Sequence, residues 1–162
     1  MTVETTTSRN TRALVAADLE RVIAIDRIHS GRSRRHFFEK RFANAQARPD
    51  DFVQVGVVTG DGLQGFAVAR ILRGEFGLKD AVAVLDAVGV DPQSREHGLG
   101  QSLMEGLLDV SGRRGVCSLQ SQVSWTNFDL LRFFNASRFK LAPRLDLERP
   151  VAELREGVDE EP

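Results

Sequence analysis

Residues 88–103 read Val-Gly-Val-Asp-Pro-Gln-Ser-Arg-Glu-His-Gly-Leu-Gly-Gln-Ser-Leu, and this stretch decides the fold. It begins at the end of an apolar run, Ala81 to Val90, that predicts a central strand. The run stops at Asp91-Pro92, because proline fixes φ and has no N–H to give a ladder. A helix follows, with Leu99, Leu103, Leu107 and Val110 along one side and Met104 and Leu108 beside them. Arg113 and Arg114 complement its dipole, and Gly112 and Gly115 can end it. A strand turning through a glycine-bearing loop into a helix is an anion cradle. The first N–H groups of the helix lack intrahelical acceptors and sit at the positive end of the dipole, and Gly98 and Gly100 let a diphosphate approach the backbone. Arg95 and His97 add charge-assisted bonds.

Upstream, Leu14, Val15, Leu19, Val22, Ile23 and Ile25 recur at helical spacing and predict a first helix over Arg12 to Ile28. Ser30-Gly31 interrupts it, and Phe37, Phe38 and Phe42 suit a second helix. Phe52 to Thr59 and Leu63 to Leu72 are β-rich runs joined by Gly60-Asp61-Gly62, a hairpin signal. Downstream, the pattern predicts a strand over Val116 to Val123, a helix over Asn127 to Ser137 and a last strand over Arg144 to Arg149, where Leu145 and Leu147 alternate with charges. The order is two helices, three strands, then helix, strand, helix, strand. One domain over 11–151 is expected, between a flexible amino terminus, 1–10, and an acidic flexible tail, 152–162.

Composition narrows the classes. Of 162 residues, 41% are apolar and 28% charged, and a chain of this size buries nearly 70% of its surface, so one core suffices without disulfide or metal staples. Twenty-two basic residues against 23 acidic ones leave a formal charge of -1, which gives no net pull on nucleic acid or an anionic membrane. The single cysteine, Cys117, cannot form an internal disulfide, and no Cys/His cluster has zinc-site spacing, so no metal is expected. Met1 to Asn10 is polar and unlike a signal peptide, and no run approaches the roughly 18 apolar residues of a membrane span. A cytoplasmic protein is expected.

Two other phosphate motifs are excluded first. A Walker A loop needs Gly-Lys-Ser/Thr, which the chain lacks, and a dinucleotide fingerprint needs a third glycine where Leu103 stands. The segment instead resembles motif A of the GNAT superfamily of acetyl-CoA-dependent N-acetyltransferases, Arg/Gln-x-x-Gly-x-Gly/Ala after a strand ending in V-x-P. Arg95, Gly98 and Gly100 fill those places, and Val90-Asp91-Pro92 supplies the strand end. The family's element order runs over roughly residues 12 to 150. Its second landmark, N-x-x-A-x-x-[LF]-Y-x-x-x-G-F, is matched from Asn127 to Phe139, with departures at Leu130, Phe134 and Arg138.

The resemblance implies an α/β (α+β) sandwich with a central mixed, mostly antiparallel sheet flanked by helices. It implies acetyl-CoA as cofactor, with the diphosphate on the backbone of Arg95, Glu96, His97, Gly98, Leu99, Gly100 and Gln101 and on the Ser102 hydroxyl. Pantetheine would lie along Val88, Gly89 and Val90, with Gly89 as a bulge where the sheet splays, Asn127 facing it and Phe134 near the thioester. The N–H of Val88 or Val90 is the expected oxyanion donor. Asp86, placed by period-two alternation on the face of Val88 and Val90, is the expected general base. Gln122 stands where some amino-terminal acetylating relatives carry glutamate, and it cannot accept a proton. Phe134 replaces the tyrosine that often serves as acid, so the thiolate leaves unaided.

Arg9 to Arg48 holds ten basic and four acidic residues. Arg32, Arg34 and Arg35 are therefore candidates for attracting an acidic acceptor surface, set against a merely solvated helical face. The expected partner is a primary amine, a protein lysine ahead of a small-molecule amine, with the protein a monomer or homodimer. The competing class is a non-catalytic acyl-CoA-binding regulatory module. His29 and His36 flank the interhelical break, and Trp125 reads as packing.

Overall fold

The computed structural model describes residues 10–152. The predicted flexible ends, 1–10 and 152–162, otherwise lie outside the described residues. In chain order the elements are β1 (Thr11–Ala13), α1 (Leu19–Ser30), α2 (Arg35–Ala47), β2 (Phe52–Thr59), β3 (Gly62–Leu72), β4 (Ala81–Val90), α3 (Leu99–Arg113), β5 (Val116–Gln120) and α4 (Phe128–Ala136). The strands form one sheet in the order β1-β2-β3-β4-β5, antiparallel except for the parallel pair β4 and β5. The expected mixed, mostly antiparallel sheet flanked by helices is what forms.

Both faces of the sheet are covered, which is why the central strands read as nearly continuous apolar runs. On β3, Phe66 and Val68 point toward α1 and α2 and pack with Val22, Ile25 and Phe38, with the Phe38 and Phe66 rings edge to face at 5.5 Å. Ala67, Ala69 and Ile71 point the other way and pack under α3 with Leu99, Leu103 and Leu107. The hairpin closes as predicted, with Thr59 paired to Gly62 across a two-residue loop.

Three boundaries differ from the sequence reading. The first helix starts at Leu19, because Thr11–Ala13 pairs with β2 and the Asp18 carboxylate then closes a short 3-10 turn. That carboxylate accepts from Arg12 at 2.7 and 3.0 Å and from the Val15 N–H at 2.8 Å. β5 ends at Gln120 rather than Val123, because the Ser121 hydroxyl turns to the Leu85 carbonyl, at 3.2 Å, and the chain departs toward α4. The predicted strand over Arg144–Arg149 does not form. Leu145 and Leu147 are 88% and 87% exposed, and alternation without a partner ladder cannot fix a strand.

Candidate active site

The early end of β5 opens a cleft. Pairing between β4 and β5 stops at Val84 with Gln120, so from Leu85 to Val90 the outer edge of β4 has no neighbouring strand among the described residues. The cleft, about 670 Å³, lies between this edge, the start of α3, the start of α4 and the α1–α2 connection.

The backbone of β4 is directed by what anchors its end. The Asp91 N–H donates to the Gln64 carbonyl on β3 at 2.7 Å, and alternation then points the N–H groups of Val88 and Val90 at the open edge. The Asp91 carboxylate accepts from the Gln93 N–H at 2.9 Å and from Arg21 at 2.6 Å, while Ser94 donates to the Gln64 side chain at 3.0 Å. The Gln93 N–H, seconded by Arg21, holds the Asp91 carboxyl below the usual carboxylate range. Arg21, Gln64 and Ser94 thus fasten the loop that enters the cradle. No local sequence signal marks them, because Arg21 and Asp91 stand 70 residues apart.

At the cradle, Gly98 takes φ +69°, a left-handed conformation natural to glycine, and caps α3 without any side-chain cap bond. The Ser102 N–H closes the first turn on the Gly98 carbonyl at 3.1 Å. α4, by contrast, is capped by Asn127, whose Oδ1 accepts from the Leu130 N–H at 3.2 Å. Gly100 faces the cleft, and a Cβ there would stand 3.2 Å from the Phe133 ring. The side chains of Arg95, Glu96 and His97 lie outside the described residues. Leu99 is buried in the core, and the Ser102 hydroxyl, 2% exposed as a residue, donates to the Gly98 carbonyl and does not reach the cleft as expected.

Val88, Gly89, Val90, Asn127 and Phe134 all line the cleft, Phe134 being held between Phe133 and Phe139. The bulge does not fall at Gly89, which pairs in register with Phe66. It falls at Asp86, which is skipped between the pairs Ala87–Val68 and Leu85–Ala69. Period-two alternation therefore fails, and Asp86 faces α2, opposite to Val88 and Val90, which pack in the α3-side cluster. Both Asp86 oxygens are engaged by Arg70, at 2.7 and 2.9 Å, and Arg41 Nε lies at 3.3 Å.

On the α1–α2 side, Arg32 and Arg34 reach the cleft. Arg34 is bound to Asp26, at 2.9 and 2.5 Å, and this contact raises the guanidinium pKa. Arg35 lies outside the cleft, paired at the surface with Glu20 and Glu39. Gln122 lines it and donates to Asp146 at 3.0 Å. His29, weighed at the sequence level only as a residue flanking the helix break, lies at the centre of this wall. Its Nε2–H donates to the Val90 carbonyl at 2.7 Å.

The family model described as the acetyltransferase (GNAT) family matches residues 19–138. The chain belongs to the GNAT family. The GNAT segment is similar to the [ribosomal protein bS18]-alanine N-acetyltransferase of Escherichia coli K12, 28% identical over 104 residues. That alignment spans 64% of this chain and 64% of the relative, less than two thirds of its length. Among solved GNAT structures, aminoglycoside N-acetyltransferase AAC(6')-Iy in complex with CoA superposes with a TM-score of 0.67, at 19% identity over 87% of this chain and 98% of that one. Glucosamine-6-phosphate N-acetyltransferase of Arabidopsis thaliana gives 0.65, at 17% identity over 87% and 97%. At these identities the likeness is one of fold. Among the described residues, no helix is long and apolar enough to cross a membrane, and no His/Cys/Asp/Glu group has the makings of a metal site.

Proposed function

We propose that this GNAT protein is an N-acetyltransferase that uses acetyl-CoA and moves the acetyl group to a primary amine by direct attack in a ternary complex. The observation that carries this reading is the meeting of two backbone edges in one cleft: the uncapped start of α3 and the unpaired edge of β4. An uncapped helix start suits a diphosphate, and an unpaired strand edge suits the two amides of pantetheine. On this reading, the amides of the turn through Gly98 to Gln101, with Arg95 and His97, hold the diphosphate. Val88 to Val90 pair the pantetheine arm, and Asn127 and Phe134 flank it. The Val88 N–H is the donor for the developing oxyanion. Acetyl-CoA supplies an acyl group on a thiol whose reference pKa of about 8.5 makes it a tolerable leaving group unaided. That matters here, because the chain has no tyrosine and Phe134 fills the place.

The sequence favours a protein lysine as acceptor, with Arg32 and Arg34 drawing an acidic surface to the cleft. The geometry favours a second acceptor, a peptide α-amine. All three carboxylates lining the cleft are already paired: Asp26 with Arg34, Asp86 with Arg70 and Asp129 with Arg132. Deprotonating a lysine at neutral pH costs roughly 4.6 kcal/mol, whereas an α-amine with a pKa near 8 costs about 1 kcal/mol and needs no strong base. The similar E. coli enzyme is named for acetylating an alanine of a ribosomal protein. A cytoplasmic location belongs to the same proposal and rests on the single cysteine and the protein acceptor.

The test is thiol release from acetyl-CoA against a lysine peptide, an alanine-terminated peptide and a panel of small amines. Release with either peptide is expected, the α-amine peptide giving the higher kcat/KM. CoA binding without release on any acceptor would favour the regulatory class.

A further inference from the structure

The pairing of β4 contains an irregularity that a regular strand forbids. The Leu85 carbonyl addresses the open edge, since the Ser121 hydroxyl bonds it there. Val88, three residues on, addresses the same edge, and both side chains pack in the α3-side cluster. In an unbroken strand, residues three apart face opposite ways in both respects. The extra residue that reconciles them is Asp86, the bulged position.

Nothing local makes Asp86 a bulge. Its carboxylate, 10% exposed, is gripped in bidentate fashion by Arg70 of β3 and flanked by Arg41 of α2, whose guanidinium also lies 5.0 Å from the Phe37 ring centre. We infer that Asp86 is a positioning residue rather than the base. Its ion pairs with Arg70 and Arg41 pin the bulge that turns the Val88 N–H into the cleft. The inference rests on the acetyltransferase reading. A carboxylate whose two oxygens both accept from one guanidinium must break a charge-assisted bond to take a proton, which disfavours the alternative role. Its other charged neighbours are Asp26 and His29 of α1 and Arg34, which line the same cleft.

The test uses ¹⁵N-labelled wild-type protein and the variants D86N, R70M and R70K, titrated with acetyl-CoA and with CoA. In the wild type, the Val88 amide is expected to move further with acetyl-CoA than with CoA, and the Gly98 and Gly100 amides to move with both. In D86N and R70M the Val88 response is lost while the Gly98 and Gly100 responses persist, which also certifies the fold. R70K, keeping the charge without the fork, falls between. In thiol-release assays, D86N and R70M each lower kcat by about 10- to 100-fold, the range of a misplaced catalytic group, with the double variant no worse than either single one. The ascending limb of the kcat/KM pH profile keeps its apparent pKa in D86N. A lost limb in D86N with full turnover in R70M, or an unchanged Val88 response in both variants, overturns the inference while the acetyltransferase reading stands. Failure of acetyl-CoA to move any cradle amide of the wild type overturns both.

Discussion

Replacing Gly100 with alanine separates the cradle from the fold. Gly100 lies in the first turn of α3, where alanine is the better helix former by about 0.8–1.0 kcal/mol. Against that gain, the new methyl would stand 3.2 Å from Phe133 Cε2 and 3.9 Å from Val90 Cγ2, so one ring edge must give by a few tenths of an ångström. Overpacking in a dense core costs about 1–3 kcal/mol, and this partly exposed ring belongs at the low end. The two effects nearly cancel, so the melting temperature should stay within about 4 °C of wild type. The cofactor meets no such compensation. The methyl and the displaced ring narrow the cleft beside the amides of the cradle. Loss of one charge-assisted bond, about 1.5–3 kcal/mol, weakens CoA by roughly 10- to 100-fold. Isothermal titration with CoA and thermal unfolding of both proteins check this. A G100A protein that melts like wild type and binds CoA within about two-fold of it would refute the placement of the diphosphate at this turn.

Gly98→Glu should abolish CoA binding, since it puts a like charge at the cradle and forces an L-residue to φ +69°, costing about 1–2 kcal/mol of stability; calorimetry with CoA reads the first effect and urea unfolding the second. Asp26→Ala strips the carboxylate from Arg34, and because that guanidinium is 32% exposed, the loss should sit near the lower end of the roughly 3–5 kcal/mol for broken buried pairs, as measured by urea unfolding. Arg12, against the opposing effect of burial and with help from the Val15 N–H, holds the Asp18 carboxyl low, and the Gln93 N–H and Arg21 do so for Asp91. Such lowered carboxyls stabilise the fold above their unfolded pKa of about 3.9 and stop doing so as pH falls through their folded values, so stability should be flat near neutrality and decline below about pH 4. D91N should show a shallower acid decline in urea-unfolding series, and parallel curves for D91N and wild type would contradict the latch.

The cradle was legible in the sequence because every part of it is local: a strand, Asp91-Pro92, two glycines and an apolar helical stripe within two dozen residues. The hairpin and the central strands were legible for the same reason. What failed depended on distant partners. Arg12 and Leu14 fit a helical pattern, yet β2 captures residues 11–13 as a strand. Leu145 and Leu147 alternate well and still form no ladder, because pattern alone supplies no neighbour. Asp86 was assigned to the wrong face because a bulge resets the period, and the side chains that hold it come from β3 and α2. Arg34 and Arg35 looked equivalent, but Asp26 draws one to the cleft and Glu20 draws the other away.

The most direct measurement is a crystal structure of the protein with CoA. The account predicts the diphosphate oxygens on backbone N–H groups of the turn that opens α3, with the pantetheine amides paired to Val88 and Val90. A diphosphate bound elsewhere, with that turn left to water, would contradict it.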